Sequence, residues 1–270
     1  MKFKKFFSYL IIASVFLYVS ICAYMYVIQR DFLYQPNVIR PLLIDKLNTK
    51  VQEIEIASTD NINLKSWFYK NNQNKFTILF LHGNNGNLKT RIYKLNEFKD
   101  LNLNYLIISW RGFNGNNGKP TEQGLYDDAR NAVKWLERNN IPKSKIILYG
   151  ESLGTGVAAE LAQNEKFAAI ILESPYTSIG DVAKIRYPYL PVDILLKDKF
   201  LTIKKVKNIS IPVFVIHGML DGKIPTYMGK KIFDEFKSKK YAYFPENDRH
   251  MIRYDSQFIS ELKKFIKSLN

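Results

Sequence analysis

The sequence predicts an α/β fold: a mostly parallel central sheet with helices on both faces. Two observations carry this. Short apolar runs at 76–81, 104–110, 146–149, 167–172 and 211–216 have the length and continuity of strands buried on both faces. Segments with helical periodicity lie between them, which is the spacing of parallel strands joined by crossover helices. At 270 residues, with 46% hydrophobic and 14% aromatic content, the chain has core enough for one large domain or two small ones and is not disordered.

The chain begins with Lys2, Lys4 and Lys5, followed by residues 6–28 without a charge and then Gln29-Arg30-Asp31. At ~1.5 Å per residue such a helix crosses a hydrocarbon core of roughly 30 Å. A cleaved signal peptide would have a shorter apolar core and a small-x-small site. Val19-Ser-Ile-Cys-Ala23 offers no such pair, and Ile21 makes a poor lipoprotein site of Cys22. Residues 1–30 are therefore expected to be an uncleaved signal anchor. Three lysines before the span against one arginine after it put the N-terminus in the cytoplasm and the remainder, 31–270, on the non-cytoplasmic side. Tyr24, Tyr26, Phe32 and Tyr34 would lie near the outer interface. A buried core helix is a poor alternative, because the run is apolar on every face.

After the anchor, 51–56 alternates like a strand, and 62–68 pairs with it across the turn residues Thr59-Asp-Asn61, giving an antiparallel hairpin at one edge. The strand 76–81 leads through His82-Gly-Asn-Asn-Gly-Asn87 into a helix ending near Asp100. The strand 104–110 ends at Arg111-Gly-Phe-Asn-Gly-Asn-Asn-Gly118. Leu125, Ala129, Ala132, Val133 and Leu136 then line one face of a helix. Ile146-Ile-Leu-Tyr149 runs straight into Gly150-Glu-Ser152-Leu-Gly154 and a small-residue helix. The strand 167–172 precedes an irregular stretch of about 176–210, read as a small helical cap. The strand 211–216, a helix near 227–237, a short strand at 241–244 and a helix with Phe258, Leu262, Phe265 and Leu269 on one face complete the domain.

The strand-to-helix turn at Ser152 has the form of a nucleophile elbow. Glycines two before and two after the serine remove side chains that would collide in a sharp turn. The turn also aims the backbone N–H of Leu153 and the helix N-terminus at the place where an oxyanion would form. The loop after residue 81 brings a second donor, the N–H of Asn84. A serine hydroxyl needs a base, and the base needs an orienting carboxylate. Of the three histidines, His82 and His217 end apolar strands and precede glycine, where a histidine often ties neighbouring loops together. His250 lies in the loop between the last strand and last helix, where it can reach back over the sheet, and is the candidate base. Asp221, at the end of the preceding strand, is the candidate partner. Asp248 is too near His250 in sequence for a natural approach, and Asp193 falls in the cap. The order Ser152, Asp221, His250 suits this architecture.

Several classes drop out. The formal net charge is +15, but four cations lie in the first 30 residues, and the other 36 are spread along the chain against 25 acids. No basic helix with interleaved aromatics and no zinc-finger pattern is present, so no nucleic-acid partner is expected. A solvated surface or a face near anionic lipid fits better. The single Cys22 permits neither an intramolecular disulfide nor a cysteine metal site, and no metal or cofactor is called for. Gly83-Asn-Asn-Gly-Asn-Leu-Lys89-Thr90 approaches a phosphate loop, but Leu88 stands where glycine must precede the lysine. Gly112, Gly115 and Gly118 lack the paired glycines of a dinucleotide loop.

The motifs His82-Gly-Asn-Asn-Gly-Asn, Trp110-Arg-Gly-Phe-Asn-Gly, Gly118-Lys-Pro-Thr-Glu122, Tyr149-Gly-Glu-Ser-Leu-Gly154, Glu173-Ser-Pro-Tyr-Thr-Ser178 and His217-Gly-Met-Leu-Asp221, with Phe32-Leu-Tyr-Gln-Pro36 before them, resemble the BEM46-like membrane-anchored α/β-hydrolases, related to proteins of the ABHD13 and ABHD17 type. The resemblance implies an α/β-hydrolase fold with Ser152 as nucleophile, Asp221 as acid and His250 as base. Arg249 stands where that family usually has glycine. The expected activity is hydrolysis of a small ester or thioester with a lipid-like acyl group. A catalytically silent, membrane-tethered scaffold and a serine peptidase are the alternatives; no propeller or large substrate domain precedes the fold to favour the peptidase.

Overall fold

The computed structural model describes residues 2–36, 51–86 and 88–269. Asn87, the last residue of the loop after the first buried strand, lies outside the described residues. Eight strands form one sheet: β1 (Gln52–Ala57), β2 (Asn63–Tyr69), β3 (Thr77–Leu81), β4 (Asn104–Ile108), β5 (Ile146–Glu151), β6 (Ala169–Glu173), β7 (Val213–Ile216) and β8 (Lys240–Tyr243). Their spatial order is β8-β7-β6-β5-β3-β4-β2-β1. All neighbours from β4 through β8 are parallel, and the β1–β2 hairpin adds antiparallel strands at one edge. The hairpin turns at Asp60 and Asn61, both at positive φ (60° and 55°), a conformation that Asp and Asn tolerate better than other side chains.

Side-chain alternation along the buried strands feeds two separate cores. Leu79, Leu81, Leu106, Leu148, Ile170 and Val213 face one side, while Ile78, Phe80, Ile107, Tyr149, Ile171 and Phe214 face the other. The first face is covered by α3 (Glu122–Arg138), α4 (Leu153–Ala162) and α8 (Thr226–Glu235), and the second by α2 (Ile92–Asp100) and α9 (Ser256–Lys267). Burying each such Leu, Ile or Phe is worth ~1.5–3 kcal/mol, so a strand apolar on both faces holds two layers of helices at once. Local signals start the helices: Thr121 caps α3 by accepting the Gly124 N–H at 2.9 Å, and Asp255 caps α9 by accepting the Phe258 N–H at 3.0 Å.

Because β3 lies between β4 and β5, the chain leaves β3 toward one side and β5 toward the other. The loops after these two strands diverge and open a crevice at their carboxyl ends, where ligands bind in sheets of this kind. Above it, between β6 and β7, stand α5 (Ile179–Arg186) and α6 (Val192–Leu195). Phe200, Val206 and Ile209, nearer β7, pack into the core together with α7 (Thr202–Lys205).

The N-terminal helix, α1 (Lys2–Leu33), is long and apolar enough over Phe3–Leu33 to cross a membrane. It does not hang free of the domain. Gln29 Nε2 donates to the Leu195 carbonyl at 3.0 Å, and the Lys197 N–H donates to Gln29 Oε1 at 2.8 Å. Arg30 donates two hydrogen bonds to Asp198, at 2.7 and 3.1 Å. Asn84 Nδ2 donates to the Leu33 carbonyl at 2.8 Å, and Gln35–Pro36 form a short parallel pair with Asn85–Gly86. The end of α1 is thus fastened both to the cap and to the loop after β3.

Candidate active site

Ser152 sits between β5 and α4 with φ +51° and ψ −117°, a strained conformation for a residue with a side chain, of a kind that costs about 1–3 kcal/mol. Close packing enforces the turn. A Cβ on Gly154 would lie 1.9 Å from the Leu81 carbonyl oxygen, and one on Gly150 would lie 2.6 Å from that of Gly154. Only glycine lets β3, β5 and α4 approach so closely. The Ser152 N–H donates to the Glu173 carbonyl at 2.8 Å, tying the turn to β6.

Ser152 Oγ lies 3.0 Å from His250 Nε2, and His250 Nδ1 lies 2.8 Å from Asp221 Oδ2. Since Nδ1 faces a carboxylate, it carries the proton, which leaves the Nε2 lone pair free to accept the serine hydroxyl. The structure therefore brings together the three side chains singled out from the sequence, from loops after β5, β7 and β8. Asn84 and Leu153 line the same cavity as Ser152 and His250. Arg249, in the place of the usual glycine, does not displace the histidine: its carbonyl oxygen packs against Gly218, where a Cβ would meet it at 2.3 Å. Asp248 is engaged by Arg253 Nε at 2.5 Å, and Asp193 by Lys184 Nζ at 2.7 Å, so neither competes for His250.

Burial alone would push the Asp221 carboxyl up. Hydrogen bonds from His217 and His250 and the backbone N–H of Ile224 outweigh it and hold this group below the usual carboxylate range. His217 was read from the sequence only as a loop-tying residue; the structure also places its Nε2 3.1 Å from Asp221 Oδ2 and 2.9 Å from the Ile224 carbonyl. Both neighbours are acceptors, so Nε2 carries the proton and His217 is a second donor facing the acid. His82 is buried, its Nδ1 donating to the Gly83 carbonyl at 2.7 Å, and the Trp110 indole donates to the His82 carbonyl at 3.0 Å. Burial pushes the His82 imidazole down to about 3, so it stays neutral and shapes the loop that carries Asn84.

Beneath the turn lies an ionic cluster that the sequence reading missed. Lys94, wholly buried on α2, reaches Glu151 Oε2 and both oxygens of Glu173 at 2.7 Å. Arg91 donates to Glu151 Oε1 at 2.6 and 3.2 Å. Glu151 and Glu173 are directly paired across β5 and β6, and each is followed by a serine at positive φ, Ser152 (51°) and Ser174 (52°). Ser174 Oγ donates to the His250 carbonyl at 2.8 Å. The repeated Glu-Ser at two strand ends was the available signal, since two carboxylates at that depth require buried cations.

The cavity over Ser152 has a volume of about 280 Å³. Its walls are mainly apolar and include Phe32 and Leu33 of α1, Val182 of α5 and Leu195 of α6. Among the described residues that line it, Arg186 and Lys223 carry positive charge and none is a carboxylate.

Residues 77–198 match the family described as alpha/beta hydrolase fold. Protein bem46 of Schizosaccharomyces pombe is 32% identical over 218 residues, covering 74% of this chain and 71% of that protein. An uncharacterised protein of Mycobacterium tuberculosis is 30% identical over 221 residues, covering 80% and 79%. The lysophosphatidylserine lipase ABHD12 of Danio rerio is 32% identical over 191 residues, covering 62% of this chain and 49% of that one. Among solved structures, the Pyrococcus furiosus esterase Pf2001 superimposes with a TM-score of 0.72 at 19% identity, covering 87% of this chain and 99% of the esterase, which is a likeness of fold. With its sheet order, its glycine-flanked turn and these relatives taken together, the chain belongs to the BEM46-like α/β-hydrolases.

Proposed function

We propose that the chain is a serine hydrolase that cleaves carboxylic ester or thioester bonds of lipid-like acyl substrates. The observation that carries this is the unbroken contact Ser152 Oγ–His250 Nε2 at 3.0 Å and His250 Nδ1–Asp221 Oδ2 at 2.8 Å, opening on an apolar cavity. Ser152 Oγ attacks the acyl carbon as His250 Nε2 takes its proton, and Asp221 steadies the imidazolium. The N–H groups of Asn84 and Leu153 receive the charge on the carbonyl oxygen, a contribution of about 10²–10³ in rate for each such donor. His250 then returns the proton to the departing alkoxide or thiolate, leaving an acyl-serine. Water, deprotonated by His250, attacks that ester and releases the carboxylic acid and free Ser152.

The apolar walls favour a hydrocarbon acyl chain, and Arg186 and Lys223 favour negative charge elsewhere on the substrate. The lipase activity in the name of the Danio rerio relative is of this class. Lys2, Lys4 and Lys5 before the apolar helix support an N-terminus in the cytoplasm and a hydrolase domain, 31–270, outside it.

The test is covalent labelling of the full chain by a serine-reactive fluorophosphonate, followed by turnover on acyl esters and thioesters of graded length. Labelling that disappears in Ser152→Ala and turnover that rises with chain length support the reading. Labelling that survives Ser152→Ala refutes the nucleophile. No labelling and no turnover favours a tethered scaffold.

A further inference from the structure

We propose that the cap dips into the lipid leaflet beside α1 and that the cavity is filled from that leaflet, so its substrate is a bilayer-resident acyl amphiphile and not a free, water-borne ester. The substrate half rests on the hydrolase reading above; the membrane half does not.

The argument begins with where the cap meets α1. Beyond the contacts at Gln29 and Arg30, Tyr18 Oη donates to the Tyr189 carbonyl at 2.9 Å. Tyr18 is 11 residues before Gln29, ~16 Å farther along the helix. Of the uncharged run, only residues 6–17 lie beyond that contact, and they extend ~18 Å, well short of a hydrocarbon core of roughly 30 Å. A helix that both crosses the bilayer and keeps this contact must carry the cap tip below the headgroups.

The surface of the cap suits that position. Ile185 of α5, Tyr189 of the turn after it and Ile194 of α6 are 51%, 64% and 83% exposed, a strong solvent exposure of apolar groups on one small cap. The charges of Lys184 and Asp193 are matched by their 2.7 Å ion pair. Lys197, whose Nζ lies 4.0 Å from the Tyr26 ring centroid, stands near the end of the uncharged run, at headgroup level.

The cavity continues this arrangement. Met25, Gln29, Phe32 and Leu33 of α1 form one wall, and α5 and α6 form the facing wall. An acyl chain moving along α1 out of the leaflet therefore meets Ser152 without passing through bulk water. Asn84 Nδ2, bonded to the Leu33 carbonyl, fixes the same helix end to the loop that carries a proposed oxyanion donor.

Two measurements test this on the full chain in phosphatidylcholine–phosphatidylglycerol vesicles. In a Cys22→Ser background, a nitroxide on Ile194→Cys is compared with one on Asn72→Cys, an exposed loop residue before β3 at the opposite end of the sheet. Relaxation at residue 194 is expected to respond to oxygen over a nickel chelate, with the reverse at residue 72. Equal access of the chelate at both sites overturns the proposal. In the second measurement, Tyr189→Lys with Ile194→Lys, neither of which lines the cavity, is expected to lower turnover of a vesicle-embedded long-chain ester by about tenfold or more, because lysine is costly in hydrocarbon. Turnover of soluble p-nitrophenyl acetate should be unchanged. Equal loss on both substrates, or loss on neither, overturns the proposal. If the native protein hydrolyses no ester at all, the hydrolase reading falls while the depth measurement still decides the position of the cap.

Discussion

Replacing Lys94 by methionine tests whether the cluster beneath the Ser152 turn holds the fold together as a unit. In the native protein two cations, Arg91 and Lys94, face two carboxylates, Glu151 and Glu173. Burial would lower the affinity of Lys94 for its proton, but Glu151 and Glu173 outweigh it and hold the amine above its usual range. Burial would likewise raise the Glu151 carboxyl; Arg91 and then Lys94 outweigh it and hold that group below its usual range. Methionine fills much the same volume but leaves Glu173, 0% exposed, with the Tyr149 hydroxyl at 2.6 Å in place of a cation. Breaking a buried ion pair on one side costs about 3–5 kcal/mol. At roughly 2–4 °C per kcal/mol for a domain of this size, the midpoint of thermal unfolding should fall by about 6–20 °C. The double variant Lys94→Met with Glu173→Gln restores the charge balance with Arg91 and Glu151 and should recover at least about half of the loss. The lowered Glu151 group contributes stability above ~4.3 that is lost as pH falls through its folded value; the raised Lys94 group contributes stability below ~10.4 that is lost as pH rises through its own. Scanning calorimetry of the three proteins in one detergent decides it. A single variant as stable as the native protein, or a double variant with simply additive losses, would refute the reasoning.

Gly154→Ala forces a Cβ to within 1.9 Å of the Leu81 carbonyl and should abolish folded expression, whereas Gly222→Ala, with nothing within 4 Å, should change stability by less than about 1 kcal/mol, both read by thermal unfolding. His217→Gln weakens donation to Asp221, so the carboxyl moves up toward its ordinary value. Its stabilising contribution, present above ~3.9 and lost as pH falls through the folded value, should then be lost at higher pH, moving the acid-unfolding midpoint seen by circular dichroism upward. The same variant should lower kcat/KM about tenfold, the loss expected for one charge-assisted hydrogen bond. Arg186→Glu reverses the charge of a side chain that lines the cavity and should raise KM for anionic acyl substrates several-fold more than for neutral ones, measured on matched esters.

Much of this architecture was legible because it rests on local rules. Period and length marked the strands, and the turn at Asp60-Asn61 followed from residues that accept positive φ. The glycine-flanked Ser152 and the scarcity of histidines narrowed the site to a few combinations. What was not legible depends on contacts between distant segments. Nothing in the periodicity of α2 announces that Lys94 points inward: a lysine beside Tyr93 reads as a solvated residue until Glu151 and Glu173 are seen to converge on it. His217 and His82 looked alike, each closing an apolar strand before glycine. They differ because one faces Asp221 and the other the Gly83 carbonyl.

In the proposed mechanism the three histidines divide between structural and chemical use of the same side chain. All three arise from loops at the carboxyl ends of strands. His82 is buried with its donor spent on its own loop, and burial holds it neutral far below neutral pH, so it cannot take up a proton from a hydroxyl. His217 is fully buried, and its one N–H is directed at Asp221 and the Ile224 carbonyl. His250 alone keeps a free lone pair toward Ser152 and a side chain that is partly open, 13% exposed, to a cavity where a leaving group could stand. Proton transfer needs both the partner on one nitrogen and the vacancy beside the other. The loop after β8 supplies that combination because Ser174 and Gly218 hold its backbone against the sheet edge, which leaves the ring and not the chain to face the cavity.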